Sequence, residues 1–559
     1  MLRKNLSRRV SLIGTVVTSI GLVAGMASAQ ETPLTLDPAA FTTVNVTVDG
    51  KPLALRRYEV VYVGKPVAMA AEQPARRMGP GGSPSGAETQ TLTDLLAYQK
   101  LAIFVPETAT DSSAIILNVN NGGWFASELK PGIQDGGAYV SNSDTDKAGA
   151  ALAAGYVYVD VGSRGRGIVA ADASYPGKAP AAVVDTKAAI RYLRLNDAAL
   201  PGSAERIVIT GTSGGGGLSS VVAASGNSPD YYPFLAEIGA AGINADGTSS
   251  LNDDVFAVIA YCPITDLSHA DMAYEWLYQG IRSADNTAGG WSAQAQAASA
   301  ELAAAYPAYL AGLGLNLADG TPLTTETMKD AIADEVRREV ERRIASGAPI
   351  PALGEDFTYT MHKGPETIEA TAKNTWLAVE NGEIKSLDLD AYLAFVTQTA
   401  ALKTVPAFDR TANTGNQGID GENSLFGAAT LPYSNFSAFG WDHNEVAGDG
   451  SGKDDTGQDW ATYTAAPDNA LAIQTRLINP MNYLGTDAKA APYWYVRHGM
   501  IDRDTSFAVE LSLANAARMD ADVQSVDFRL PWMTTHSGDY DVTEAYGWLA
   551  GVLATAGKP

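Results

Sequence analysis

One segment of this chain reads Arg206-Ile207-Val208-Ile209-Thr210-Gly211-Thr212-Ser213-Gly214-Gly215. It joins a short apolar run, typical of a buried strand, to a Gly-x-Ser-x-Gly turn, and the helix-compatible stretch 218–224 follows. This is the setting in which a strained turn exposes a serine hydroxyl, because the glycines allow a sharp bend and the close approach of neighbouring backbone. A phosphate-binding loop is the competing interpretation, but the lysine that ends such a loop is missing. We therefore predict that Ser213 is a nucleophile.

The chain around this segment alternates between apolar runs and helical patterns. Apolar runs at 114–119, 156–161 and 255–261 flank it, and a helical pattern with one apolar face covers 184–195. Strands that alternate with helices predict βαβ units and a mostly parallel sheet. Further strand signals are found in an N-terminal hairpin around Asp49-Gly50, at 101–105, and late in the chain at 493–497 and 526–530.

Between about residues 276 and 475 the alternation stops. This stretch is rich in alanine and charge, and it contains two amphipathic segments at 331–345 and 388–402. A helical domain inserted between late strands accounts for it, and such insertions often cover an active site. The sequence predicts an α/β-hydrolase fold with a large, mainly helical inserted lid domain. Its parts are a signal peptide (1–29), a first core part (30–275), the lid (276–475) and a second core part (476–559).

The N-terminus predicts export. A basic start, the apolar run 10–26 and Ala27-Ser28-Ala29 form a secretory signal peptide with its cleavage site. The stretch 7–12 also resembles a twin-arginine signal, so the export route stays open. No later apolar run approaches 18 residues, and the formal net charge is −24. We expect a periplasmic or secreted protein whose mature form has neither a membrane nor a nucleic-acid partner.

A serine nucleophile needs a base, and the chain has five histidines. In this fold the base follows the last strand, and the acid lies between serine and histidine in the sequence. His536 fits that position, whereas His498 is interpreted as a packing residue at a strand end. Asp502 and Asp504 are both candidates for the acid, and their spacing does not distinguish them.

The sequence has two further features that bear on its chemistry. The oxyanion of acyl transfer needs two backbone N–H donors, which we assign to Gly214 and to Gly122 or Gly123 in an early strand-end loop. Cys262 is the only cysteine, so the chain has no internal disulfide. It lies in an apolar run, which indicates a buried structural thiol.

Taken together, these residues resemble the bacterial tannases, the tannin acyl hydrolases that cleave galloyl esters. The resemblance covers most of the mature chain. It implies that Asp502 is the acid of the triad and that Asp504 faces the galloyl hydroxyls. The motifs that carry it are Ser163-Arg164-Gly165-Arg166, the serine turn with 225–231, 261–267, Pro406-Ala407-Phe408-Asp409, 422–427, 497–507 and 536–541.

The resemblance also implies a site for the substrate's ring. Lys403 and Glu422 match the other hydroxyl-binding positions, and Ile264 matches an apolar wall against the ring. The segment 413–421 is longer than the family's pattern, which leaves Asp420 as the alternative to Glu422. Carboxylates and an ammonium are suited to a trihydroxyphenyl ring, because its hydroxyls both donate and accept hydrogen bonds.

The sequence thus predicts an exported serine esterase with a small-molecule phenolic ester as substrate and no metal or organic cofactor. A feruloyl, chlorogenate or general carboxylesterase is the alternative, and an inactive hydrolase-fold binding protein is a third possibility. The aspartate-rich loop 449–459 lacks the spacing of an EF-hand, and we interpret it as a solvated loop.

Overall fold

The computed structural model describes residues 32–74, 89–363, 366–410, 421–445 and 452–556. The predicted signal peptide, Asp420 and Asp449 lie outside these residues. The strands are β1 (Thr42–Val48), β2 (Lys51–Val61), β3 (Glu72–Pro74), β4 (Thr89–Thr91), β5 (Lys100–Pro106), β6 (Ile115–Val119), β7 (Ala138–Tyr139), β8 (Val157–Val161), β9 (Ile207–Thr212), β10 (Ala257–Tyr261), β11 (Asp356–Lys363), β12 (Glu366–Lys373), β13 (Leu377–Glu380), β14 (Glu383–Leu387), β15 (Tyr493–Arg497) and β16 (Ser525–Arg529).

The α-helices alternate with the strands in the first part of the chain and cluster between β10 and β15. They are α1 (Lys147–Ala153), α2 (Ala181–Leu195), α3 (Gly214–Ala224), α4 (Tyr232–Glu237), α5 (Leu267–Tyr278), α6 (Ala293–Leu313), α7 (Thr325–Ala345), α8 (Leu389–Thr399), α9 (Ala438–Asp442), α10 (Lys453–Thr456), α11 (Trp460–Tyr463), α12 (Ala470–Leu477), α13 (Phe507–Met519) and α14 (Val542–Ala556). Within the described residues, no helix combines the length and the apolar character needed to cross a membrane.

A ten-stranded sheet runs through the described part of the chain in the order β16-β15-β10-β9-β6-β8-β5-β2-β1-β7. Neighbours from β8 to β16 are parallel, whereas β5, β2 and β1 add antiparallel strands on the other side. The predicted α/β-hydrolase fold is therefore confirmed. Because β6, β8, β9, β10, β15 and β16 are parallel, the loops at their carboxyl ends gather along one edge of the sheet.

The central strands are apolar on both faces because helices cover both sides. In β9, Ile207 and Ile209 pack into one hydrophobic cluster, and Val208 packs into the cluster on the opposite face. All three side chains are fully buried. This explains why the run reads as continuously apolar rather than alternating, as buried parallel strands do.

The insertion occupies the chain between β10 and β15. The predicted boundary at residue 275 falls inside α5. Helix α7 begins at Thr325, six residues before the predicted start, because Thr324 and Thr327 form a capping box. The insertion also contains two antiparallel hairpins, β11–β12 and β13–β14, that the sequence analysis did not predict.

Buried hydrogen bonds join the insertion to the loops at the carboxyl ends of the strands. The Tyr392 hydroxyl of α8 donates to the carbonyl oxygen of Met500. The Tyr274 hydroxyl of α5 donates to the Arg503 carbonyl oxygen at 2.8 Å. Lys178, before α2, donates to three carbonyl oxygens between residues 424 and 432. The insertion therefore lies against the edge at which the parallel strands end.

The packing of α3 predicts a contrast between two glycines. A Cβ at Gly217 would overlap the Ile264 carbonyl oxygen, whereas one at Gly551 in α14 meets nothing within 4 Å. We expect Gly217→Ala to lower the free energy of unfolding by at least about 2 kcal/mol. Gly551→Ala should raise it by about 0.5–1 kcal/mol, because alanine favours a helix. Urea unfolding of both variants checks this, and equal effects would contradict the packing described here.

Candidate active site

Ser213 lies on a sharp turn between β9 and α3. Its backbone has φ 60° and ψ −123°, a conformation in the positive-φ region that L-residues rarely adopt. Neighbouring backbone holds it, since the Ser213 amide donates to the Tyr261 carbonyl oxygen at 2.9 Å and the Ile264 amide donates to the Ser213 carbonyl oxygen at 3.1 Å. The turn thus has the geometry of a nucleophile elbow.

The structure brings the three predicted triad side chains together. His536 Nε2 lies 2.9 Å from Ser213 Oγ, and His536 Nδ1 lies 2.7 Å from Asp502 Oδ2. The second candidate acid is more distant, with Asp504 Oδ2 3.9 Å from the same nitrogen. The Asp504 amide instead donates to Asp502 Oδ1 at 2.8 Å. Asp502 is therefore the carboxylate that can orient the imidazole, while Asp504 helps to fix Asp502.

Neighbouring charges shift the pKa values of His536 and Asp502 in opposite directions. Burial alone would lower the pKa of His536, but the charge of Asp502 dominates together with smaller contributions from Cys262 and Asp504, and the pKa lies well above its usual value. Burial would raise the pKa of Asp502, but the two histidines His536 and His498 outweigh it and the pKa falls. Asp502 thus stays ionised while His536 gains or loses its proton.

His498 packs behind the acid, at the end of β15. It is fully buried, with Nδ1 3.8 Å from Asp502 Oδ2 and 3.3 Å from Glu510 Oε1 of α13. Burial opposes a charge on His498, yet Glu510 and Asp502 raise its pKa. His498 therefore contributes to the environment of the acid without reaching Ser213.

Cys262 is buried, as predicted, but it lies beside the triad. Its thiol donates to the Ser537 carbonyl oxygen at 2.8 Å, and burial is the main cause of its raised pKa. Among the described residues, Cys262, Asp502 and His536 are the group whose possible metal ligands lie within 4.8 Å of one another. A metal there would compete with the hydrogen bond between His536 and Asp502, so the arrangement suits acid–base chemistry better than metal binding.

The loop after β6 lies against the elbow. A Cβ at Gly214 would lie 2.7 Å from the amide nitrogen of Gly123, which is one of its three nearest atoms. Gly123 itself has a positive φ of 59° within the turn Gly122–Trp124. Of the two predicted glycines, Gly123 is thus the one whose amide is next to Gly214. The Trp124 amide nitrogen is nearer still, but that amide donates to the Asn121 carbonyl oxygen at 2.8 Å. Gly214 and Gly123 therefore remain the candidate pair of donors for an oxyanion.

The predicted ring-binding residues converge beside the triad. Lys403 Nζ donates to the Asp504 carbonyl oxygen at 3.2 Å and lies 3.9 Å from the centre of the Phe408 ring. Burial is the main influence on Lys403 and lowers its pKa, while the charges of Glu422 and Asp504 act against that. Ile264 is buried at the end of β10. Lys403 from the insertion and Asp504 from the core therefore share one polar site.

Two buried carboxylates, to which the sequence analysis gave no role, hold the turn that begins at Glu422. Asp271 of α5 accepts the amides of residues 407–409 at 2.6 to 2.8 Å. Asp409 in turn accepts from the Asn423 side-chain amide at 2.6 Å and from Ser437 Oγ at 2.6 Å. These bonds fix the turn that begins at Glu422, which is itself only 7% exposed.

Arg166 also lies at this site, although the sequence analysis gave it no role. It is 7% exposed, its Nε donates to the Gly123 carbonyl oxygen at 2.5 Å, and its NH2 lies 3.7 Å from Glu422 Oε1. The available signal was its position in Ser163-Arg164-Gly165-Arg166, directly after β8. In contrast, Asp454 and Asp455 lie in α10, and Asp459 caps α11 through the Thr462 amide.

The comparisons with known proteins match this chain to an α/β-hydrolase family model and to solved structures of tannases. Residues 101–309 match the family model described as BD-FAE, which is an α/β-hydrolase family. Among solved structures, a tannase from Fusobacterium nucleatum is 29% identical, with a TM-score of 0.69, over 93% of this chain and 99% of its own. The comparison with curated proteins gives no match.

Two other solved structures are similar to the same extent. The tannin acyl hydrolase from Lactobacillus plantarum in its native form is 30% identical, with a TM-score of 0.69, over 93% of this chain and 99% of its own. A tannin acyl hydrolase in complex with ethyl gallate has the same identity, coverage and TM-score. The similarity therefore includes the insertion as well as the sheet.

Proposed function

Because the chain belongs to the tannase family of α/β hydrolases, we propose that it hydrolyses galloyl and related phenolic esters through an acyl-enzyme on Ser213. As a member of that family it is a carboxylic ester hydrolase. The observation that carries the proposal is the unbroken hydrogen-bond chain from Ser213 Oγ through His536 to Asp502, next to a polar site with charges of both signs. A relative that holds ethyl gallate supports this substrate class.

In the first half of the reaction, Ser213 Oγ attacks the ester carbonyl carbon and its proton passes to His536 Nε2. The amides of Gly214 and Gly123 stabilise the negative oxygen of the tetrahedral intermediate. The carbon–oxygen bond to the alcohol then breaks, and His536 protonates the departing oxygen. Water repeats these steps on the acyl-enzyme and releases the acid. The charge of Asp502 stabilises His536 while it carries the proton.

The acyl ring is recognised by hydrogen bonds that an unsubstituted ring cannot make. The Lys403 ammonium donates to a ring hydroxyl, and the carboxylates of Glu422 and Asp504 accept from hydroxyls. Ile264 packs against the ring. Buried polar groups favour substrates that satisfy all of them, because an unpaired group loses its solvation without compensation. A ferulate ester has a methoxy group that can only accept, so gallate esters fit this site better.

The serine mechanism predicts a severe effect of one hydroxyl. Ser213→Ala should lower kcat by about 10⁴-fold or more, because the base and the oxyanion donors cannot replace the nucleophile. Steady-state hydrolysis of p-nitrophenyl acetate measures this, with circular dichroism to check the fold. A serine-directed phosphonate should modify Ser213 in the wild-type protein, as located by peptide mass spectrometry. A variant that keeps a tenth of the wild-type kcat would rule out this mechanism.

The ring site predicts a substrate-dependent effect of Lys403. A hydrogen bond to a charged group contributes about 1.5–3 kcal/mol, so Lys403→Ala should lower kcat/KM for methyl gallate about tenfold to a hundredfold. It should change kcat/KM for methyl benzoate, which lacks the hydroxyls, by less than about threefold. Lys385→Ala is the matched control, because Lys385 is an exposed lysine of the same insertion. Equal losses on both esters, or no loss on methyl gallate, would contradict the assigned role.

We propose that the protein is exported by residues 1–29, on the basis of their basic, apolar and small-residue segments. N-terminal sequencing of the protein from the periplasm or medium of a producing bacterium should give a chain that begins at Gln30. An intact N-terminus in a protein confined to the cytoplasm would refute the proposal.

A further inference from the structure

Arg166 connects two parts of the active site that are far apart in the sequence. Its Nε donates to the carbonyl oxygen of Gly123, and its NH1 donates to the carbonyl oxygen of Gly421. Its NH2 lies 3.7 Å from the carboxylate of Glu422. One guanidinium thus contacts both the turn that carries the oxyanion donor and the turn that carries a ring-binding carboxylate.

The position of Arg166 is fixed by its surroundings. Its amide donates to the Trp124 carbonyl oxygen at 3.0 Å, and its own carbonyl oxygen accepts from the Ala126 amide at 3.1 Å. The guanidinium carbon lies 3.9 Å from the centre of the Phe125 ring. Segment 163–166 therefore runs alongside the loop that contains Gly123, and the side chain has little freedom to move.

The chemistry of the contacts requires an arginine. A guanidinium is planar and presents several N–H donors in fixed directions, so it can bind three oxygens on two segments at once. A lysine has one nitrogen and cannot reach all three. The buried charge also needs a counter-charge, and Glu422 supplies it with 10% of its side chain exposed.

We propose that Arg166 is a positioning residue that couples recognition of the acyl ring to stabilisation of the oxyanion. The Gly123 carbonyl belongs to the peptide between Gly123 and Trp124, whereas the Gly123 N–H belongs to the preceding peptide. By holding the carbonyl oxygen, Arg166 Nε limits rotation about the two backbone bonds of Gly123 and thereby limits the direction of its N–H. When a ring hydroxyl binds Glu422, the position of the carboxylate becomes fixed. Because Arg166 contacts both Glu422 and the Gly123 carbonyl oxygen, the Gly123 backbone then becomes less mobile as well. The ring half of this inference rests on the proposed function, whereas the Gly123 half does not.

The test compares Arg166→Lys with Arg164→Lys on methyl gallate and on p-nitrophenyl acetate. Arg164 belongs to the same segment and is equally buried, but it pairs with Asp185 at 2.8 Å instead of with the active site. Arg166→Lys should lower kcat about tenfold to a hundredfold on both esters, because every ester uses the Gly123 amide. KM for the acetate should change less than about threefold, and Arg164→Lys should leave both kcat values within about twofold of wild type.

The coupling is measured by combining Arg166→Lys with Glu422→Gln. In the wild-type background Glu422→Gln should slow methyl gallate hydrolysis, and in the Arg166→Lys background its effect should be at least about threefold smaller. Arg166→Gln, which keeps one donor nitrogen but no charge, is the second variant if Arg166→Lys does not fold in thermal-unfolding and circular dichroism measurements. It should lower kcat on both esters as well.

The outcomes separate the two proposals. If a folded Arg166 variant has an unchanged kcat on p-nitrophenyl acetate, the contact between Arg166 and Gly123 does not position the oxyanion donor. Independent, multiplying effects of the two substitutions on methyl gallate overturn the coupling. A wild-type enzyme that hydrolyses the acetate but not methyl gallate refutes the proposed substrate class, while the acetate kcat of the Arg166 variants still tests the Gly123 contact.

Discussion

The position of Ser213 depends on a strained turn that the neighbouring strand maintains. Its positive φ of 60° costs an L-residue about 1–3 kcal/mol. Hydrogen bonds from the end of β10, at Tyr261 and Ile264, hold both sides of the serine's backbone. The same turn presses Gly214 against the loop at 121–124, where a side chain would overlap the backbone. The direction of the hydroxyl and the proximity of the two proposed oxyanion donors, Gly214 and Gly123, both result from this one backbone geometry.

The proposed substrate site depends on a second constraint, which is the burial of two carboxylates, Asp271 of α5 and Asp409. Asp271 accepts hydrogen bonds from three successive amides at 407–409. Asp409 accepts a hydrogen bond from the Asn423 side chain and so fixes the turn that begins at Glu422. Burial raises the pKa of both carboxyls. Buried carboxyl groups are tolerated because several donors satisfy each of them. A polar scaffold of this kind positions ring-binding groups more rigidly than surface loops would, because each donor fixes part of the backbone.

The sequence predicted the sheet well because the apolar runs of a buried parallel strand, such as 207–209, differ clearly from the helical pattern. The hairpin β13–β14 escaped prediction because β14 is mostly exposed, which leaves little period-two signal. In β11 the signal is present, since Phe357 and Tyr359 are buried and Thr358 and Thr360 are exposed, but the sequence analysis did not use it. The choice between Asp502 and Asp504 needed the three-dimensional path of their loop. Arg166 could not be assigned from spacing, because its partner Gly421 lies 255 residues further along the chain.

Four titratable groups lie in a row at the triad, and the two histidines among them explain how the buried Asp502 stays ionised. Glu510 lies against His498, His498 lies against Asp502, and Asp502 holds His536. Burial alone would favour neutral forms of all four groups. Each histidine instead faces carboxylates, so the pKa values of His498 and His536 rise while that of Asp502 falls. In the proposed mechanism, the positive charge that His536 gains is therefore stabilised by a carboxylate whose pKa both His536 and His498 lower.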